Sequence, residues 1–379
     1  MLEVDKKSKV KFEKVRHLSF HCGHYDISEK FEVLKEMKSL RTLIPTNPKA
    51  YQCFLAKTVM LDMIPELRCL RALSLRGYDI TKLPDSIRNL KCLKYLDLSK
   101  TGIQSLPESI VFLLQLQTLL LFNYKDFSKF PVTIGNLINL HQLDIRGTNS
   151  LKEMPSGLAN LKQLLTLDKF IVGKENGSVK LSDLENLSQL KGKLSIIDLH
   201  NVLDVHDARK ASLDKIHSLD WLLLQWTSEF GNSRNEDMEM KVLSRLKPHP
   251  KLKSLSIICY GGKEFPSWIS CPSFSNLSYL KICECRRSTS LPSLRQLPAL
   301  KELIVEGMDA IETVDGTFQS LEKLEFCDML VWKEWTSTTG GGVGFPCLRE
   351  LVIKNCPKLI GQLPSHLSCL ISLVIRRCP

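Results

Sequence analysis

One phrase returns at a nearly constant interval and limits the folds open to this chain. It reads LRALSLRGYDITKLPDSI from Leu70, LKYLDLSKTGIQSLPESI from Leu93, LQTLLLFNYKDFSKFPVTI from Leu116 and LHQLDIRGTNSLKEMPSGL from Leu140. The opening leucines are 23, 23 and 24 residues apart, and Pro84, Pro107, Pro131 and Pro155 are 23, 24 and 24 apart. A fixed period in this range marks a stacked-repeat solenoid, because one copy cannot bury its own apolar face and must stack on its neighbours. Such a stack binds along an extended surface and seldom encloses a catalytic pocket.

Within each copy the pattern is L-x-x-L-x-L, the signature of a leucine-rich repeat. Residues two apart on a strand share a face, so Leu73 with Leu75, Leu96 with Leu98, and Leu143 with Ile145 point to a common interior. Return segments such as ITKLPDSIRNLKC add Ile80, Leu83, Ile87 and Leu90 to that interior. The return side is bulkier than a strand, so stacking curves the array. The predicted fold is an α/β leucine-rich-repeat solenoid shaped as a horseshoe. It carries one parallel sheet on the concave face and short helices or 3-10 turns on the convex face. Further strand phrases start at Val15, Leu40, Leu164, Leu194, Leu219, Leu252, Leu277, Leu300, Leu321, Leu348 and Leu370, which makes about fifteen repeats. The expected organisation is an N-terminal extension over 1–14 and a repeat domain over 15–379, with irregular insertions near 168–194, 226–252 and 336–344. The first insertion holds a helix around LSDLENLSQL. The second is polar and acidic (Glu229, Glu236, Asp237, Glu239) and reads as a mobile surface loop. The third, TSTTGGGVG, reads as a flexible excursion.

Composition narrows the function classes. Hydrophobic content of 43% and charged content of 25% are those of a globular chain. A net charge of +11 favours acidic partners, yet no Lys/Arg run or nucleic-acid motif accompanies it, so nucleic acid is set aside. The N-terminus, MLEVDKKSKVKFEKVRHLSF, lacks the apolar core of a secretory signal, and no apolar run is long enough to span a membrane. Thirteen cysteines fall in phase with the repeat. Cys69, Cys92, Cys347 and Cys369 precede an opening Leu, and Cys285, Cys356 and Cys378 fill the Asn/Cys slot. Both slots are expected to want small buried side chains, which free Cys supplies. Reduced thiols indicate the cytoplasm, with the nucleus as a second compartment.

Candidate chemistry is sparse. RHLSFHCGH offers His17, His21, Cys22 and His24, but no second ligand group at structural-zinc spacing follows, and Cys285 of ICEC is already explained by its slot. Asp85 and Glu108 recur after LP, where an acid suits the start of a helical turn. No G-x-S-x-G or H-E-x-x-H string occurs, so neither enzyme, metal nor cofactor is expected. The functional signal lies in the outward strand positions. Arg76, Tyr95, Asp97, Leu120, Phe122, Gln142, Asp144, Arg146, Tyr279 and Lys281 form the expected partner-binding strip, since aromatics flanked by charges suit interface anchors. Trp221, Trp226, Trp268, Trp332 and Trp335 are assigned to packing.

The repeat LRALSLRGYDITKLPDSIRNLKCLKYLDLSKTGIQSLPESI resembles the leucine-rich-repeat region of plant coiled-coil-type nucleotide-binding leucine-rich-repeat (NLR) disease-resistance proteins. KLSIIDLHNVLDVHDARKASL, VLSRLKPHPKLKSLSIICYGGKEFPSWI and LVIKNCPKL resemble it too, and the likeness runs from Val15 onward. LPDSI and LPESI follow the intracellular style rather than the G-x-I-P of extracellular plant repeats. The resemblance implies a protein-recognition scaffold of innate immunity. It would sense a pathogen effector or a modified, guarded host protein and regulate a nucleotide-binding domain. The G-x-x-x-x-G-K-[ST] loop of that domain is absent from these residues. The alternative is a free-standing repeat adaptor, for example the substrate-recognition half of a ubiquitin ligase.

Overall fold

The computed structural model describes residues 12–46, 53–122, 126–175, 177–231, 234–315, 318–336, 345–360, 363–364 and 367–379. The chain forms two compact units, residues 1–169 with 173–179, and residues 170–172 with 180–379. The division falls within the first irregular segment.

In the first unit seven short strands pair in sequence order and in parallel: His17–Phe20, Thr42–Pro45, Ala72–Ser74, Tyr95–Asp97, Thr118–Leu120, Gln142–Asp144 and Thr166–Leu167. Parallel neighbours require each return segment to carry the chain back to the same side. Most of these returns are short 3-10 turns, among them Asp85–Asn89, Glu108–Phe112 and Ser156–Asn160, each entered from an extended proline, while the return before Ala72–Ser74 also holds a π-helical turn over Val59–Met63. Proline pre-sets the φ of the entry, and Asp85 and Glu108 stand at the first helical position, as expected. Successive returns touch backbone to backbone at Gly135, where a Cβ would lie 2.3 Å from the Gly157 carbonyl oxygen. The core is the predicted one: Leu73, Leu75, Leu96, Leu98, Leu143, Ile145, Ile87 and Leu90 are all at most 1% exposed.

The second sheet runs through Lys169–Ile171, Lys191–Ile197, Ser218–Gln225, Ser254–Ile258, Tyr279–Cys283, Glu302–Glu306, Lys323–Cys327, Glu350–Lys354 and Ser372–Arg376. The expected single sheet is therefore two ladders. At Asp168 the chain bends and its carboxylate turns to Asp144 and Arg146 instead of extending the first ladder. In the second unit the residue after a strand turns left-handed, as at Cys259, Glu284, Asp328 and Asn355 with φ of 50 to 56°. Two small parallel pairs, Tyr25–Asp26 with Phe54–Leu55 and Thr313–Asp315 with Glu334–Thr336, were not foreseen from the repeat phrase.

Three further expectations change. The 226–252 segment is not a loose loop: Asn235 caps a helix over Glu236–Arg245, its Oδ1 accepting the Met238 N–H at 3.0 Å. The helix around LSDLENLSQL is a 3-10 turn over Leu181–Leu187. Cys285 and Cys356 are fully buried, whereas Cys69, Cys92, Cys347 and Cys369 are exposed. At Cys69 and Cys92 the slot before the opening Leu belongs to a turn whose flanking leucines, Leu67, Leu70, Leu90 and Leu93, are buried while the turn itself faces water. Residues 1–11 of the N-terminal extension and 337–344 of the glycine-rich excursion lie outside the described residues.

Candidate functional site

The strand face of the first unit is built from three rows that the pairing register sets side by side. Ala72, Tyr95, Thr118, Gln142 and Thr166 form the first. Ser74, Asp97, Leu120 and Asp144 form the second. The third follows the strands: the Gly77 N–H donates to the Ser99 carbonyl at 3.0 Å and the Lys100 N–H to the Phe122 carbonyl at 3.0 Å. Those bonds carry Arg76, Ser99 and Phe122 along the same edge, and Arg146 joins them through its contact with the Phe122 ring. Eight of the ten candidate residues thus share one face.

They do not share one role. Asp97 is 4% exposed and Asp144 7%. Asp97 accepts the Ser99 N–H at 2.9 Å and the Ser74 hydroxyl at 3.2 Å. Asp144 accepts the Arg146 N–H at 3.1 Å. Each carboxylate bonds the backbone two residues on, the Asx-turn geometry that closes the end of the strand. These two aspartates support the turn that presents the third row.

Arg146 is the most elaborated member. Its Nη2 donates to Asp144 Oδ2 at 2.6 Å and its Nε to Asp144 Oδ1 at 3.0 Å, while Asp168 Oδ2 lies 3.8 Å from Nε. The guanidinium carbon stands 5.1 Å from the centroid of the Phe122 ring, a cation–π contact. Burial opposes the charge on Asp144, but the bonds from Arg146 outweigh it and hold its carboxyl below the usual range. Asp168 goes the other way, pushed up to about 6 by burial and by the Asp144 charge. Asp168 was missed in the sequence, although it stands 24 residues after Asp144 in the same repeat slot. Arg76, Tyr95, Leu120 and Phe122 are half-buried and Gln142 is exposed. Burial, then Asp97, raises the Tyr95 phenol, with Arg76 opposing, so it stays a neutral hydrogen-bonding ring.

Tyr279 and Lys281 belong to the sheet of the second unit, where the face is laced by ion pairs. Lys281 meets Glu306 at 3.0 Å, Lys354 meets Glu325 at 3.3 Å and Lys323 meets Glu350 at 3.6 Å. The Cys283 thiol donates to Glu306 and the Cys327 thiol to Glu325, each at 3.4 Å. Burial, then the adjacent glutamate, pushes both thiols up to about 12, so neither is a nucleophile at neutral pH.

The other candidates resolve into structural contacts. His17 Nδ1 is 2.9 Å from the Thr42 hydroxyl, and the His24 ring packs edge-on against Tyr25 and Phe54. Among the described residues no cluster of three or more His, Cys, Asp or Glu side chains could hold a metal ion. Trp226, Trp268 and Trp332 are buried, while Trp221 and Trp335 are half-buried. No helix among the described residues is long and apolar enough to cross a membrane.

Comparison with known proteins places this geometry. Residues 19–152 match a leucine-rich repeat region, and residues 181–308 match the R13L1/DRL21 leucine-rich repeats. RPP13-like protein 1 of Arabidopsis thaliana, named as a disease-resistance protein, is 39% identical over 393 residues, covering 97% of this chain. The chain belongs to the leucine-rich repeats of plant disease-resistance proteins. Disease resistance protein RGA2 of Solanum bulbocastanum is 34% identical over 57% of the repeat region. The repeat region spans 37% of the length of the first relative and 23% of the second. A leucine-rich-repeat protein of Leptospira interrogans matches its fold with a TM-score of 0.59 at 19% identity, covering 97% of the repeat region and 91% of that chain. The ectodomain of the plant receptor kinase GASSHO1/SCHENGEN3 matches with a TM-score of 0.52 at 15% identity, over 96% of the repeat region and 44% of that chain.

Proposed function

We propose that this repeat region is the recognition surface of a plant NLR immune receptor. It senses a pathogen effector or a guarded host protein and regulates a nucleotide-binding switch domain from the cytoplasm or the nucleus. Its work is binding without catalysis. The observation that supports this reading best is the first strand face, where Arg76, Tyr95, Phe122 and Gln142 stand on successive rungs. Among the described residues no ion pair ties up Arg76, Gln142 is exposed, and Arg146 remains 60% exposed despite its partners. A partner carrying acidic and apolar groups would find a cation, two aromatic rings and an amide on one plane, the mixture in which interface hot spots are made. The two plant sequence relatives described above are named for disease resistance, and that is the setting in which the face would act.

The test is a plant line that carries the resistance gene with Arg76→Glu and Tyr95→Ala together. Loss of the pathogen-triggered response, with protein level and melting unchanged and with a control at exposed Val132, Val132→Ser, still responding, agrees with the reading. A full response from the double variant refutes it.

A further inference from the structure

One row of side chains on the first unit carries charge that the fold itself leaves unanswered. It is the position just ahead of each strand, where the backbone of one coil bonds to the next. The Arg41 N–H donates to the Arg16 carbonyl at 2.6 Å, the Arg71 N–H to the Arg41 carbonyl at 2.7 Å, and the Lys94 N–H to the Arg71 carbonyl at 2.8 Å. Four cations therefore occupy four consecutive rungs, and rungs of a sheet are about 4.8 Å apart. The turn before the row repeats the choice, with Lys38, Arg68 and Lys91 in equivalent places on three of the same coils. All but half-buried Arg41 are exposed. None of the seven side chains forms an ion pair or a hydrogen bond among the described residues.

The second unit shows that the slot does not demand this. Its equivalent row reads Asp220, Lys253, Ser278, Lys301, Glu322 and Arg349, joined by the same kind of backbone bond. There anions and cations are mixed and pair across rungs, Lys253 with Asp220 at 2.8 Å and Lys301 with Glu322 at 2.9 Å. Like charges on facing rungs are destabilising, so a four-cation ladder lowers the stability of the coils that bear it. A partner of opposite sign would remove that penalty.

Three neighbouring features narrow the partner. Beyond Lys91 the same turn slot becomes apolar, with Leu114 53% and Ile138 56% exposed, and Phe112 beside them is 56% exposed. Exposed Glu36 and Glu66 lie immediately before Met37 and Leu67, next to the cations, without ion-pair partners among the described residues. A bilayer or a nucleic-acid backbone presents continuous negative charge and would be repelled by those glutamates. Carboxylates placed at i, i+3 and i+4 of a helix are about 5–6 Å apart, close to the rung spacing, and can avoid them.

We infer that the ladder Arg16, Arg41, Arg71 and Lys94, backed by Lys38, Arg68 and Lys91, docks an acidic polypeptide segment whose adjoining apolar residues cover Leu114 and Ile138. This surface is separate from the strand face proposed above, and its test alters no residue of that face.

The experiment measures binding of the complete chain to a labelled oligo-glutamate peptide that ends in a leucine-rich turn, by fluorescence anisotropy across a salt series. Phosphatidylserine vesicles and a single-stranded oligonucleotide serve as competing probes. Arg41→Glu with Arg71→Glu should weaken peptide binding by about tenfold or more. Arg41→Gln with Arg71→Gln should weaken it less and provides the reading if the reversal fails to fold. Lys82→Glu with Lys129→Glu, exposed lysines off the ladder carrying the same change in net charge, should leave binding within about twofold, since an interaction set by contact is insensitive to distant screened charge. Equal loss in that control, unchanged binding in both ladder variants, or tighter binding of vesicles or oligonucleotide than of peptide would overturn the inference.

Discussion

Removing the carboxylate of Glu239 should unfold the second unit at markedly lower urea. The side chains of Arg234 and Glu239 are only 4% and 6% exposed, and they form a two-pronged pair, Nη2 to Oε2 at 2.6 Å and Nε to Oε1 at 2.8 Å. The guanidinium also donates to the carbonyls of Thr227 at 2.9 Å and Cys259 at 2.7 Å. Glu239 accepts the Gly261 N–H at 2.8 Å, and the Phe230 ring lies 4.6 Å from the guanidinium. One buried pair thus ties the segment after Ser218–Gln225, the helix Glu236–Arg245 and the turn after Ser254–Ile258 into one piece. Taking away one member of such a pair leaves a charge without its counter-charge in a place water does not reach, which costs about 3–5 kcal/mol. Glu239→Gln keeps the shape and some hydrogen bonding, so the lower end, about 3 kcal/mol, is expected.

All five tryptophans of the chain lie in the second unit, so their emission follows that unit alone during urea unfolding. With a urea dependence of about 2 kcal/mol per molar, the midpoint should fall by about 1.5 M. Arg234→Met combined with Glu239→Leu should cost no more than Glu239→Gln, because it removes both charges together and its apolar packing offsets the Gly261 N–H and two carbonyls left unmet. A Glu239→Gln midpoint within about 0.5 M of the parent would refute the argument, since that is the scale of an exposed pair. So would a double variant that is weaker than the single.

Two further outcomes follow from the titrating groups. Asp168 keeps its proton up to about pH 6 in the folded chain, against 3.8 for an ordinary aspartate. Its contribution to stability is therefore complete below about pH 4 and lost as pH rises through 6. Asp168→Asn should match the parent at pH 4 and exceed it at pH 7 by about 2 kcal/mol, read by hydrogen exchange over Gln142–Asp144 and Thr166–Leu167; a gap that narrows with rising pH contradicts this. Among the thiols, Cys271 is lowered by the Ser273 hydroxyl, 3.1 Å away, and should alkylate first in the native protein. Cys69, Cys92, Cys347 and Cys369 should follow, and Cys285 and Cys356, buried and with raised thiol pKa values, should react only after denaturation. Mass spectrometry of the time course checks the order.

The strands were legible because L-x-x-L-x-L states the phase directly, and each phrase beginning at Val15, Leu40 and onward lies over an observed strand. What the phase could not state is how deep an outward position sits. Asp97 and Asp144 alternate away from the core, yet each folds back on its own strand end and is buried there. Alternation fixes direction, while depth depends on the width of side chains on neighbouring rungs. The 226–252 segment failed for a related reason. Its acids suggested solvent, but Arg234, five residues before Glu239, supplies the buried counter-charge, and the Gly261 amide that completes the site is remote in sequence. The turn cysteines were misplaced because a small residue beside a buried leucine was taken to share its burial.

The two strand faces then differ in a way that bears on recognition. On the second, Lys281, Lys323 and Lys354 already have carboxylate partners on nearby rungs, so a ligand must break a pair to gain one. Exposed pairs are worth little, about 0–1 kcal/mol, but the exchange returns nothing net and gives poor discrimination between ligands. On the first, Arg76 has no ion-pair partner among the described residues, and Arg146, bonded to Asp144 and stacked near the Phe122 ring, keeps its side chain 60% exposed. A ligand carboxylate there adds a bond without removing one, to a group whose orientation is already set by Asp144. Preorganised and unsatisfied groups concentrate binding free energy, and for that reason the proposed recognition surface is the rungs from Ala72 to Asp144 rather than both sheets evenly.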